Sequence, residues 1–365
     1  MDTPSGLPIY YREPSPATWR RRIARTRIAL DAMGGDHAPA EPVAGAVLSA
    51  SELDVEITLV GQEPIVRAAL TAAGGDSLLA SGRLSIVHAD DVIAMDEHAA
   101  SAARSKPNSS LVVATTIVKE GRTDAIVTAG HSGAAMAAAL FTLGRIRSVE
   151  RPALATYFPT IGGRCIVLDI GANADCRPTY LAQFAVMGDA FARLTLGLDQ
   201  PRIGLLSNGE EESKGNQVTR EAHQLLRGLG LHFVGNVEGK DIPAGIADVV
   251  VSDGFSGNVA IKMAEGMAKL CFDLVRREAS RSLPTKLGGL LMRPAFRGVR
   301  KHLDYEEYGG AILLGVDGVV VVAHGRSNAR AIRSAVRVAA QCAAGGIIDR
   351  IRDGIQSSLS ALPRG

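Results

Sequence analysis

The sequence predicts an α/β protein: a mostly parallel sheet covered by helices on both faces. Three observations predict it. Short apolar runs alternate along the chain with longer segments of helical character. Several of those runs stop at glycines set beside small polar or acidic side chains, as buried strands do where they empty into a loop before a helix. The 365 residues, 46% hydrophobic and 21% charged, suffice for a large core built as two lobes or as one big domain.

In chain order, residues 28–31 form a short strand that ends in a glycine loop. Residues 39–53 form a helix with Glu41-Pro42 in its first turn, where the missing proline N–H is harmless. A strand at 56–60 ends at Gly61, and a helix at 64–73 stops at Gly74-Gly75. Strands follow at 84–88 and 125–128, then an alanine-rich helix at 134–143. The strand at 166–170 runs into Gly171-Ala-Asn173, ahead of a long helix at 180–196. Further strands lie at 202–206, 247–251 and 319–323, and a helix at 328–344 closes the series. The apolar run at 311–323 is broken by Asp317, and no stretch is long enough to span a bilayer. Residues 27–348 are thus read as an α/β catalytic domain, and 349–365 as a C-terminal tail. Residues 1–26 read as a basic arm, rich in prolines and in Arg20, Arg21, Arg22 and Arg25. With no apolar segment behind its charges it is not a secretory signal. It reads as a disordered arm, or as one loosely drawn to anionic lipid.

The net charge of +2 and an aromatic content of 4% argue against nucleic acid as a partner. The four cysteines, Cys165, Cys176, Cys271 and Cys342, form no C-x-x-C pair. Such usage fits a reducing cytoplasm and gives no zinc or redox motif.

Five loops, and the end of the final strand, could carry chemistry. In the first, Asp31, Asp36 and His37 flank Gly34-Gly35: either a loop whose amides and His37 hold an anion, or a turn whose Asp36 caps a helix. The lack of G-x-G-x-x-G argues against a dinucleotide site. Next, Gly130-His131-Ser132-Gly133 opens a helix of small residues, with amides able to face an anion or with a plain cap at Ser132. Asp169 and Asn173 end a strand and could face the cleft, while Asp175 reads equally as a cap. The densest polar stretch, 207–216, follows three acids with Lys214 and Asn216, and could neutralise and bind an anion. Last, Asp253, Ser256, Asn258 and Lys262 open a helix, with Asn258 and Lys262 sharing one face. His324 and Ser327 end the final strand, where Ser327 or Asn328 caps the next helix. Together these loops suggest one cleft built for an oxyanion. His88, His98, His223, His232 and His302 lie outside them and read as surface or structural residues.

A segment at about 276–304 differs in character. Leu287, Leu290, Leu291 and Phe296 interleave with Lys286, Arg293, Arg297, Arg300 and Lys301. That pattern suits a membrane surface or a subunit contact, and Pro294 would break it into a helical hairpin.

Seven motifs in this order resemble the bacterial phosphate acyltransferases of phospholipid synthesis over roughly 28–345. They are Leu30-Asp-Ala-Met-Gly-Gly-Asp-His-Ala-Pro39, Lys106-Pro-Asn-Ser-Ser110, Arg151-Pro-Ala-Leu-Ala155, Gly209-Glu-Glu-Glu-Ser-Lys-Gly-Asn216, Val234-Gly-Asn236, Asp253-Gly-Phe-Ser-Gly-Asn258 and Glu307-Tyr-Gly-Gly310. His131 replaces an asparagine common in that family, and Arg326 a small residue.

The resemblance implies a fold like that of phosphotransacetylases and isocitrate-dehydrogenase-like enzymes, a homodimer, and peripheral membrane association through the hairpin. The implied partners are acyl carrier protein, inorganic phosphate and a downstream glycerol-3-phosphate acyltransferase. No cofactor is implied, and no carboxylate set has metal-site spacing. On this reading the amides near Gly34-Gly35 and Gly130–Gly133 hold phosphate, and Lys214 supplies charge. Asn216, Asn258 or Ser256 donates to the oxyanion, and His37 or His324 handles the proton. A phosphate acyltransferase using coenzyme A, or an NAD-dependent decarboxylating dehydrogenase of similar fold, are the alternatives.

Overall fold

The computed structural model describes residues 25–303 and 309–361. The arm up to residue 24, Asp304 and the Glu307-Tyr308 part of the last motif lie outside the described residues. In chain order the elements are β1 (Thr26–Asp31), α1 (Ala40–Glu52), β2 (Val55–Gly61), α2 (Glu63–Ala72), α3 (Asp76–Ala80), β3 (Leu84–His88), α4 (Ala99–Ser105), α5 (Ser110–Lys119), β4 (Ala125–Thr128) and α6 (Ser132–Thr142). There follow β5 (Ala153–Thr160), β6 (Gly163–Leu168), α7 (Pro178–Leu196), β7 (Ile203–Leu206), α8 (Gln217–Arg227), β8 (Phe233–Val237), α9 (Asp241–Ala244) and β9 (Val249–Val251). The last are α10 (Gly254–Ala279), α11 (Leu283–Leu291), α12 (Arg293–Leu303), β10 (Ala311–Leu314), β11 (Val319–Val322), α13 (Ala329–Ala344) and α14 (Ile347–Ala361).

All the strands join one sheet in the order β3-β2-β1-β4-β11-β10-β5-β6-β9-β7-β8. Most neighbours are parallel, and strands such as β4 and β11 are buried along their whole length. This is why they read as unbroken aliphatic runs rather than alternating ones. Helices cover both faces. On one side α1 and α13 pack closely because Gly45 lacks a side chain: a Cβ there would lie 2.5 Å from Ile332 Cβ.

The pairing also contains a reversal that the sequence reading did not foresee. β10 is antiparallel to β11 and to β5, and β5 is antiparallel to β6. The strands β6, β9, β7 and β8 therefore point opposite to β1, β2, β3, β4 and β11. Strand carboxyl ends, where loops for ligands collect, lie at two opposite ends of the sheet. We term them the first end (β1, β4, β11) and the second end (β6, β9, β7).

The stretch read as a C-terminal tail is helix α14. Ile347, Ile351 and Ile355 recur every fourth residue, are at most 2% exposed and pack into the main core. Their spacing puts all three on one face. The hairpin is present as α11 and α12, broken at Met292 just ahead of Pro294. Residues 276–279 belong instead to the long helix α10. Among the described residues no helix is long and apolar enough to cross a membrane.

Candidate active site

The first end gathers three loops. Asp31, the last residue of β1, is 2% exposed and sits beside Thr128, the last residue of β4. Thr128 Oγ1 donates to Asp31 Oδ2 at 2.8 Å and accepts from the Gly130 amide at 3.0 Å. Burial raises the Asp31 carboxyl above its ordinary range, against the hydroxyls of Ser110 and Thr128 and the amides of Met33 and Gly34. Gly34 lies directly over this cluster, since a Cβ there would sit 2.6 Å from Asp31 Oδ2 and 2.8 Å from the Gly130 nitrogen. Gly35 follows with a φ of +108°, a left-handed value that only glycine takes without strain. The Asp36 amide then donates to the Gly325 carbonyl at 2.7 Å, tying this loop to the one after β11.

Helix α6 starts at the same end. Its cap is the ring of His131, not Ser132: Nδ1 accepts from the Gly133 amide at 3.1 Å and the Ala134 amide at 3.4 Å. Ser132 and His37 are exposed. Asn328 rather than Ser327 caps α13, accepting from the Ala331 amide at 3.1 Å, and Ser327 is buried. Burial and then Arg326 lower His324 below its ordinary value; Lys262 acts the same way, while Glu265 and Asp36 oppose it. Lys262 and Glu265 come from α10. That helix starts at the second end, and Lys262 lies about 12 Å of rise along it, near enough for its charge to act on His324.

The second end is a closed lock. Asp169 accepts from the amides of Leu154, Gly171 and Ala172 through Oδ1, and from the Asn173 amide and side chain through Oδ2, at 2.8–3.1 Å. Asn173 Nδ2 also donates to the Pro152 carbonyl. Asn258 Nδ2 donates to the Ile170 carbonyl at 2.9 Å. Asp253 caps α10 through the Ser256 amide and also takes the Ser256 hydroxyl. Asp169 and Asn173 hold each other, Asp253 holds Ser256, and Asn258 ties the first turn of α10 to the loop after β6, so these residues fasten the start of α10.

Lys214 and Asn216 also lie at the second end, exposed in the loop after β7. Asn216 Oδ1 caps α8, accepting from the Thr219 amide at 2.9 Å. The strand reversal therefore separates Lys214 from Gly34-Gly35 within one chain, so the expected single cradle of all the loops does not form. The same loop is moored by Asn236 Nδ2, which donates to the Glu211 carbonyl, and by His223, hydrogen-bonded to Asn236 at 3.0 Å. Glu210, Glu238 and Asp241 converge nearby, with Lys240 paired to Glu210 and Glu238.

On the hairpin, Leu287, Leu290 and Leu291 are exposed, whereas Phe296 is half-buried. His302 Nε2 joins α12 to the Thr160 carbonyl at 2.8 Å. Sequence reasoning passed over Thr128, Ser110 and Glu265. The first two had a signal: Thr128 is the polar residue that closes a fully buried strand, and Ser110 opens a helix within a shared motif.

The family model described as "Fatty acid synthesis protein" matches residues 26–350. The phosphate acyltransferase of Heliobacterium modesticaldum is 52% identical over 315 residues, 86% of this chain and 93% of that protein. The phosphate acyltransferase of Pelotomaculum thermopropionicum is 49% identical over 331 residues, 91% of this chain and 95% of that one. Among solved structures, a phosphotransacetylase from Streptococcus pyogenes aligns with a TM-score of 0.60 at 20% identity, covering 87% of this chain and 94% of that one. EutD phosphotransacetylase from Staphylococcus aureus aligns at 0.58 and 17% identity, covering 87% and 94%. At those identities the structures establish a shared fold. The sequence matches run almost end to end through both ends of the sheet, and on them the chain belongs to the phosphate acyltransferase family of acyltransferases.

Proposed function

We propose that the protein moves a fatty acyl group from the thioester of acyl carrier protein to inorganic phosphate, giving acyl phosphate for phosphatidic acid synthesis. The observation that carries this reading is the meeting of three loops at the first end, where Gly34 packs on Asp31 and Gly130 and the Asp36 amide donates to the Gly325 carbonyl, next in sequence to His324. Phosphate is anionic near neutral pH and needs little help from a base. A thiolate, with a thiol pKa of ~8.5, is a fair leaving group. The protein's work is then to position two reactants and stabilise the tetrahedral oxyanion. Phosphate lies at the first end, Lys262 takes the charge-neutralising role first given to Lys214, and Ser132 donates to the oxyanion. A phosphate oxygen attacks the thioester carbon, the C–S bond breaks, and the phosphate proton passes through His37 or His324 to the departing thiolate. Burial, above all, pushes the thiols of Cys165 and Cys176 up to about 12. Both stay protonated at neutral pH, so direct attack is favoured over an acyl-cysteine.

The test is to supply acyl-ACP and phosphate and trap the product with hydroxylamine, with acyl-CoA in parallel. Hydroxamate is expected, more of it from acyl-ACP. A preference for acyl-CoA would move the donor to coenzyme A, and no hydroxamate from either would end the proposal.

The protein works in the cytoplasm as a homodimer docked on a membrane surface, next to a glycerol-3-phosphate acyltransferase. Support for the dimer is an exposed stripe on α10: Phe255, Val259, Met263, Met267, Leu270 and Leu274, spaced by four and three along one face. Support for the membrane is the exposed leucines of α11 among cations. Leu290→Glu with Leu291→Glu is expected to abolish sedimentation with anionic liposomes while light scattering still gives a dimer mass. Retained sedimentation would make the hairpin a protein contact only, and a monomer mass for the parent chain would remove the dimer.

A further inference from the structure

The hydroxyl of Thr128 is the hub of the buried cluster at the first end. It is 0% exposed and carries one hydrogen, which it gives to Asp31 Oδ2 at 2.8 Å. Having given that hydrogen, it can only accept from Gly130, as it does at 3.0 Å. The Gly130 amide therefore points inward, away from any ligand. Asp31 in turn holds the Met33 amide at 3.1 Å, and Ser110 and the Gly34 amide also bond to it. The Thr128 hydroxyl thus links the loop after β1 to the loop after β4, and the Asp31 carboxylate adds the first residue of α5.

We propose that Thr128 is a positioning residue for phosphate: its hydroxyl clasps the Asp31 loop to the Gly130 loop and so fixes the turn at Gly34-Gly35 against the start of α6. The amides of Gly34, Gly130 and Gly133 are spent on protein partners rather than on the anion, as the sequence reading expected them to be. The inference rests on the reading that phosphate binds at the first end. A valine has the same shape, so it keeps the packing. It also leaves the Asp31 oxygen and the Gly130 amide buried without their partner, which an unpaired polar group does not tolerate. The loops must then shift to find other partners. Substrate held elsewhere does not feel that shift.

The experiment compares Thr128→Val, Thr128→Ser and Lys262→Ala, with KM for phosphate and KM for acyl-ACP measured separately and thermal melts recorded. Thr128→Val is expected to raise the phosphate KM about tenfold or more, with the acyl-ACP KM within about twofold of the parent. Thr128→Ser, which restores the hydroxyl, is expected to return the phosphate KM to within about threefold. An unchanged phosphate KM in Thr128→Val, while Lys262→Ala raises it, overturns the clasp and leaves the site intact. No effect from either Lys262→Ala or Thr128→Val shows that phosphate binds elsewhere. A rise shared equally by both substrates, or a serine variant no better than valine, makes Thr128 a packing residue and also overturns the proposal. If the valine variant does not fold, Thr128→Ala is judged by the same criteria.

Discussion

Gly257→Ala is expected to destabilise the protein by about 3 kcal/mol or more, the upper part of the range for forcing an atom into a packed interior. A Cβ at this position would lie 1.9 Å from the Asp169 carbonyl oxygen, 2.6 Å from Ser252 Oγ and 3.0 Å from the Asp169 carbonyl carbon. The first and third of these are main chain and cannot swing aside. Nor can that loop retreat, because the Asp169 carboxylate pins the four amides around it, counting Leu154, and Ser252 Oγ donates to the Asp169 carbonyl at 3.0 Å. The added methyl must therefore lift the first turn of α10 off the second end. A fall in melting temperature of roughly 4 °C or more is expected, with faster amide exchange at Gly171, Ala172 and Asn173. A melt indistinguishable from the parent would mean that α10 does not seat as described.

Lys262→Ala is expected to raise the KM for phosphate about tenfold, the loss of one charge-assisted contact made by an exposed lysine. The same substitution removes one of the cations that hold His324 down. Burial and Arg326 remain, so the histidine rises only part of the way, and the acid limb of the rate profile moves to higher pH. The sign is fixed: a cation nearby favours the neutral imidazole, and its removal lets the proton bind at higher pH. Lys214→Ala, at the other end of the sheet, is expected to change the phosphate KM less. Initial rates at varied phosphate and pH decide the point, and an effect of Lys214→Ala equal to that of Lys262→Ala would return the charge to the loop after β7.

Much of the fold was legible because the parallel strands advertise themselves. Ile28–Asp31, the four valines at 319–322 and the helices between them have apolar periods that tertiary context did not override. The reversal was not legible. It depends on β5, which carries a proline and mixed polarity, and on β10, which is continuous in composition with the run that follows it. Both strands look like loops or like part of a neighbour until paired. That omission carried into the site. Polar clusters after strands were all read as facing one cleft, because strand direction is a property of pairing and leaves no trace in the residues themselves. The chemistry of each cluster was visible, but which side chains already had partners was not. Asp169, Asn173 and Asn258 have the composition of a binding loop, and only the hydrogen bonds of Asp169 with Asn173 and of Asn258 with the Ile170 carbonyl make them a fastening.

Helix α10 is anchored at the second end by Gly257 and Asp253, passes His324 at Lys262, and runs unbroken to Ala279, roughly 25 Å farther on. A helix is stiff along its axis. Whatever docks against the tip is therefore kept at a constant standoff from Lys262 and from the helix's anchored start.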